Sequence, residues 1–146
     1  MKLTINGKDY TFEFTIAASL CETCVEKTTK LIFGIVDARS DEDLNKMIQS
    51  ITDIYSTTFA LFYGGLLEHH SNEIRSEKDA RELFAAYFRE NTDRKEYNYY
   101  TLFNQLLEQV KEDGFFDLLG LDSMMDALIA EEEPKQTTTK KKATKN

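Results

Sequence analysis

The sequence predicts a mainly α-helical fold: an N-terminal β-hairpin packed on a bundle of four to five helices, with a disordered basic C-terminal tail. Three observations predict it. Apolar residues recur at Leu44, Met47, Ile48, Ile51, Ile54, Tyr55, Leu61 and Phe62, a spacing of three then four held for about five turns at roughly 3.6 residues per turn. Asn6-Gly7 separates two short alternating segments near the start of the chain. Three further apolar stripes follow the long one, and after Glu131-Glu132-Glu133-Pro134 only Ala143 is apolar. Residues 1–133 read as one helical domain with the hairpin at 1–14, and 134–146 as a Lys/Thr-rich tail without structure.

In the hairpin, Leu3-Thr4-Ile5 and Tyr10-Thr11-Phe12-Glu13-Phe14 alternate apolar and polar. Asn-Gly suits a two-residue type I′ turn, because both positions need positive φ. That loop sets Ile5 opposite Lys8 and Leu3 opposite Tyr10, so Met1, Leu3, Ile5, Tyr10, Phe12 and Phe14 share one face. A lone hairpin is marginal in water, so this face must rest on helices or another chain. Its outer edges are expected to be open for strand addition.

The opening Met-Lys-Leu-Thr-Ile-Asn-Gly-Lys-Asp-Tyr-Thr-Phe-Glu-Phe, followed by a small acidic helical body, resembles the tail assembly chaperones of long-tailed bacteriophages (siphoviruses). After Phe14 the chain reads Thr15-Ile16-Ala17-Ala18, where many relatives continue with glycine and aromatics. The resemblance implies a protein of viral tail assembly and virion morphogenesis. It would bind and solubilise the tape-measure protein while tail-tube protein subunits are recruited around it. Such proteins act in the bacterial host cytoplasm and are absent from the mature virion. Coating a long client implies many copies, hence self-association. The family commonly makes a longer form by ribosomal frameshifting. The Lys140-Lys141-Lys142 run fits a slippery site, and a solvated lysine tail accounts for it equally.

The helices follow in order. Ile16, Leu20, Cys24, Leu31 and Ile35, flanked by Ala17, Cys21, Val25, Thr28 and Ile32, predict a first helix from about Ile16 to Phe33 or Val36, loosened by Gly34. Cys21-Glu22-Thr23-Cys24 lies inside it. A redox pair wants a helix N-terminus to lower the thiol pKa, so buried structural thiols are the preferred reading. The central helix is expected from Ser40 to Tyr63, capped by Ser40-Asp41-Glu42-Asp43 and stopped by Gly64-Gly65. His69 and His70 diverge by roughly 100° on a helix. A zinc site of Cys21, Cys24, His69 and His70 is conceivable by ligand type, but no finger spacing supports it. Two surface histidines near a helix end is the simpler reading.

Ser76-Glu77-Lys78-Asp79 caps the next helix, with stripe Ala80, Leu83, Phe84, Tyr87 and Phe88 and an end at Glu90-Asn91-Thr92-Asp93. The phenols of Tyr97-Asn98-Tyr99-Tyr100 suit either the edge of the core or a partner. Leu102, Phe103, Leu106, Leu107 and Val110 mark a fourth helix, stopped by Asp113-Gly114. Phe115, Phe116, Leu118, Leu119 and Leu121 come next. Asp122 is expected to cap a short helix carrying Met124, Met125, Leu128 and Ile129. These nine apolar residues are the candidate partner-binding site, because unbranched methionines adapt to varied surfaces. Closing the helical core is their other reading.

Charge narrows the function classes. The chain of 146 residues carries net −8, and its last twelve residues hold five of the 18 basic side chains and no acid. Residues 1–134 thus set 13 bases against all 26 acids, net −13. Such a body repels a phosphate backbone, which excludes nucleic acid as the expected partner. The longest uncharged run, Ile54 to Leu67, falls short of the ~20 residues a membrane helix needs. The start turns polar too soon for a signal peptide, so a cytoplasmic protein is expected. No phosphate-binding glycine loop, zinc-protease motif, nucleophile elbow or calcium loop occurs. The acidic pairs Asp41/Asp43 and Glu131/Glu132 sit at helix ends, where solvation explains them. A binding protein without catalytic residues, cofactor or metal is therefore expected. The alternatives are a structural virion or adaptor protein and a small metal or thiol enzyme.

Overall fold

The computed structural model describes the backbone of residues 1–40 and 44–130, and side chains there outside 34–51. It is mainly helical with an N-terminal two-stranded antiparallel hairpin. The chain divides into two compact units, Met1–Phe115 and a second starting at Phe116. The expected acidic turn at 41–43, the acids at 131–133 and the tail at 134–146 lie outside the described residues.

Strands β1 (Lys2–Ile5) and β2 (Lys8–Thr11) pair as Ile5 with Lys8 and Leu3 with Tyr10. Asn6 (φ 54°) and Gly7 (φ 75°) supply the two positive dihedrals that the type I′ turn requires. Ile5, Tyr10, Phe12 and Phe14 are buried, as the shared face predicts.

The expected single first helix is two. Helix α1 (Ile16–Ser19) is capped by Thr15, whose hydroxyl accepts from the Ala17 N–H. The chain then breaks at Leu20 and Cys21, and α2 runs Glu22–Ser40, straight through Gly34. The break has a packing reason. Ala18 and Cys24 are both fully buried and both converge on Gly64. Six residues apart on one continuous helix, they would point about 120° away from each other. Interrupting the helix turns both inward and leaves Ile16 and Leu20, the first two residues of the predicted apolar spacing, 66% and 81% exposed.

Helix α3 (Leu44–His70) is the long central element. Ser40 closes α2 instead of capping α3, and α3 continues through Gly64-Gly65 to His70. The glycines are docking points, not a stop. A Cβ on Gly64 would lie 2.4 Å from Cys24 Sγ, and one on Gly65 would lie 3.0 Å from a Phe12 ring carbon and 3.1 Å from Phe14. Helical glycine loses about 1 kcal/mol to alanine in propensity, and the close approach of α2 and the hairpin offsets that loss. Thr58, the one polar residue in the stripe, is buried and donates to the Ile54 carbonyl at 2.7 Å.

Helix α4 (Glu77–Glu90) begins at Ser76, which accepts from the Asp79 N–H. The Asp79 carboxylate in turn accepts from the Arg75 N–H at 3.0 Å. Helix α5 (Tyr99–Glu112) is capped by Asn98, whose side chain accepts from Thr101 N at 2.9 Å. Asp113 and Gly114 (φ 66°) end it. Short α6 (Phe115–Leu119) and α7 (residues 121–130) follow, separated by Gly120 (φ 72°). Because α7 starts at 121, Asp122 lies in its first turn and does not cap it.

Within Met1–Phe115, α3 packs against β2, α1, α2, α4 and α5. An aromatic chain joins the elements: Phe12 to Phe62 at 5.1 Å, Phe62 to Phe84 at 5.1 Å, and Phe14 to Phe115 at 5.6 Å between ring centroids. Backbone donors of the hairpin find helix acceptors: Glu13 N to Gly65 O (2.9 Å), Thr11 N to His70 Nε2 (2.9 Å) and Phe14 N to Asp113 Oδ2 (2.8 Å). Thr11 faces outward from the ladder, so the β2 edge is closed there and not open to another strand.

Candidate docking surface

The nine predicted partner-binding residues separate by burial. Phe115 and Leu121 are buried, at 0% and 1% exposure. Phe116, Leu119 and Met125 are half-buried. Leu118, Met124, Leu128 and Ile129 are about half exposed, 46% to 57%. The block is thus neither wholly core nor wholly surface.

On α7, at 100° per residue, Met124, Leu128, Leu121, Met125 and Ile129 fall in that angular order and span about 140°. Asp122 and Asp126 lie on the Ile129 flank, while Ser123, Ala127 and Ala130 fill the opposite side. Hydrogen bonding to Asp117 of α6, partial desolvation and the charges of Asp117 and Asp126 hold the Asp122 carboxyl above the usual carboxylate range. The middle of this stripe, Leu121, is buried and Met125 is half-buried, so only Met124, Leu128 and Ile129 are exposed on it, with Asp122 and Asp126 beside Ile129.

The other candidate residues have structural tasks. Cys24 sits in the first turn of α2, where the helix end would lower a thiol pKa. Burial outweighs this and, with the nearby Cys21, pushes the thiol up to about 12. Cys21 lies at the α1–α2 break, half-buried. His69 pairs with Glu13 at 2.6 Å. His70 accepts the Thr11 N–H, and burial foremost lowers its pKa. Among the described residues no group of three or more His, Cys, Asp or Glu is placed to hold a metal ion. No helix among them is long and apolar enough to cross a membrane.

The tyrosine cluster is mostly packing. Tyr99 stacks on Phe88 at 5.3 Å and meets Tyr55 edge-on at 5.4 Å, Tyr97 lies against Tyr87, and Tyr100 stays 66% exposed. Asn98, passed over in the sequence as part of that aromatic run, is the α5 cap. Its signal was an Asx residue three before a threonine N–H at the start of an apolar stripe.

No protein-family model matches the chain, and neither a curated protein nor a solved structure is found to be similar to it.

Proposed function

We propose that this chain is a non-catalytic binding protein, a phage tail assembly chaperone that holds the tape-measure protein in solution while tail-tube subunits are recruited. One structural observation carries the binding role: four large apolar side chains of α6 and α7, Leu118, Met124, Leu128 and Ile129, are about half exposed. Solvent-facing apolar side chains can cover apolar surface on another chain. The client's identity rests on the resemblance of Met1–Phe14 to the family's opening strands. Action is reversible masking of apolar surface, in the host cytoplasm, by a protein that leaves before the virion is complete.

Co-expression tests it. The tape-measure protein is expected in the soluble fraction with this chain bound, and in the pellet without it. A Met124→Ser/Leu128→Ser double variant is expected to lose most of the rescue. A client that stays insoluble in the presence of the wild-type chain overturns the proposal. Mass spectrometry of finished particles separates a chaperone, which is absent, from a structural virion or adaptor protein, which is retained.

A further inference from the structure

We propose that Cys21 and Cys24 form a reversible thiol–disulfide exchange site: Cys21 attacks a low-molecular-weight disulfide of the glutathione type, and Cys24 then closes an intrachain bond. This goes beyond the proposed function and does not depend on it.

The break between α1 and α2 creates the arrangement. The two cysteines of the chain stand three residues apart. On the continuous helix that the sequence predicts, both would lie mid-helix with Cβ atoms about 5–6 Å apart. A disulfide needs roughly 3.5–4.5 Å, so that helix could not close the bond. In the structure Cys21 instead precedes the helix. Helix α2 starts at Glu22, and the Cys21 carbonyl accepts from Val25 N at 3.0 Å. Cys21 and Cys24 thus take the N-cap and third positions of a helix of 19 residues. This is the helix terminus that a redox pair wants. Helix geometry sets their Cα atoms about 5 Å apart, inside the range of about 4.4–6.8 Å that a disulfide spans. Cys21 lies outside the regular helix, so helical dihedrals do not fix the direction of its Cβ.

The two thiols are unequal, as stepwise exchange requires. Cys21 is half-buried and follows Leu20, which is 81% exposed, whereas Cys24 is fully buried. Burial also pushes the Cys24 thiol up to about 12, so a reagent in solution meets Cys21 first. Cys21 gives its proton to solvent, and its thiolate attacks one sulfur of the small disulfide. That S–S bond breaks and one small thiolate leaves. Cys24 then gives up its proton, attacks Cys21 Sγ and expels the second small thiolate. The small disulfide gains two electrons and two protons and becomes two thiols, and the cysteine pair loses the same. The second attack is intramolecular and needs no path from solvent to Cys24.

The test incubates the reduced full chain at pH 8 with mixtures of reduced and oxidised glutathione, then traps it with acid and alkylates it. Mass spectrometry is expected to show a monomer short of two hydrogens, its bond mapped to the peptide that holds both cysteines. Cys24→Ser is expected to stop with one glutathione on Cys21. Cys21→Ser is expected to react at least ~100-fold more slowly than wild type. In one glutathione mixture, the ratio of bonded to open pair is expected to be about tenfold higher in the native chain than in the urea-unfolded chain, because the fold holds the thiols together. Circular dichroism melts show which variants fold, and Cys24→Ala takes the place of Cys24→Ser if the buried hydroxyl unfolds it. A wild-type chain that keeps both thiols, stays as a glutathione adduct, or joins two copies through Cys21 overturns the proposal. So does a bond no more favoured in the native chain than in the unfolded one, or a folded Cys21→Ser chain that reacts as fast as wild type.

Discussion

Replacing Gly64 with alanine tests the central packing claim, that α3 runs through its glycines because α2 must come close. The new Cβ would sit 2.4 Å from Cys24 Sγ and 2.9 Å from Cys24 Cβ, against the 3.5–4.0 Å optimum for non-bonded heavy atoms. Rotation about χ1 can remove the sulfur. It cannot remove the Cys24 Cβ, which is fixed to the α2 backbone, so α2 itself must retreat. Overpacking of this kind costs about 1–3 kcal/mol. Alanine returns about 1 kcal/mol of helix propensity. The net expectation is a loss of about 0–2 kcal/mol, a fall of up to roughly 8 °C in Tm. Urea unfolding followed at 222 nm measures it directly. Gly65→Ala is expected to lose less, because its contacts at 3.0 and 3.1 Å are ring atoms that can tilt away. Cys24→Gly removes both atoms in the way. The double variant with Gly64→Ala is therefore expected to show about 1 kcal/mol of favourable coupling. If Gly64→Ala instead stabilises the fold by the full propensity gain, the two helices do not approach as described and the reasoning fails.

Other consequences are simpler to read. His70 has its folded pKa lowered from 6.5, chiefly by burial, with Lys8 and His69 also disfavouring its charge and Glu73 opposing them. The unfolded chain then binds the proton more readily, so His70's contribution is fully present above about pH 6.5 and is lost as pH falls through its folded value. Urea midpoints between pH 5 and 8 should show this slope, and His70→Gln, which keeps an acceptor for Thr11 N, should flatten it. A thiol reagent at pH 8 should label Cys21 in the native protein and reach Cys24 only on unfolding. With its pKa near 12, only about one in ten thousand Cys24 side chains is thiolate at that pH. Equal labelling rates in the native state would contradict the buried placement. Asn98→Ala removes the acceptor for Thr101 N and should cost about 1 kcal/mol in the same urea assay; no change would mean that solvent caps α5 equally well.

What could be read from the sequence was local. The hairpin register follows from Asn6-Gly7 and strict alternation, both within a dozen residues. The α4 start follows from Ser76 and Asp79, three positions apart. The misread glycines and the unforeseen helix break share one cause: their explanation lies in another part of the chain. Gly64-Gly65 looked like a stop because helix termini often use glycine, whereas here Cys24, Phe12 and Phe14 need the missing side chains. The break after Ser19 is invisible in a periodic stripe because it is imposed by Ala18 and Cys24 sharing one target on α3. The candidate site was legible as an apolar block, but not its division into buried Phe115 and Leu121 and exposed Leu118, Met124, Leu128 and Ile129. Helical periodicity finds the stripe and cannot say whether anything covers it.

The size of that stripe limits how it can be used. Four side chains already half exposed retain about 1 kcal/mol each of burial to gain, roughly 4 kcal/mol together. Association costs at least about 4 kcal/mol in lost freedom of motion, which offsets that gain, so a single contact should be weak, with a Kd well above ~1 mM. A protein that must hold a client firmly and yet release it can use such a contact only in numbers. Two copies joined by a flexible glycine-serine linker, offered a client with two apolar segments, should bind roughly 100-fold tighter than one copy. Calorimetry on the single and linked chains measures the gain. A single copy that binds a one-segment peptide below 1 μM would mean that the stripe is a site of high affinity. Multiplicity would then be unnecessary, and a mechanism built on many weak, reversible contacts would be wrong.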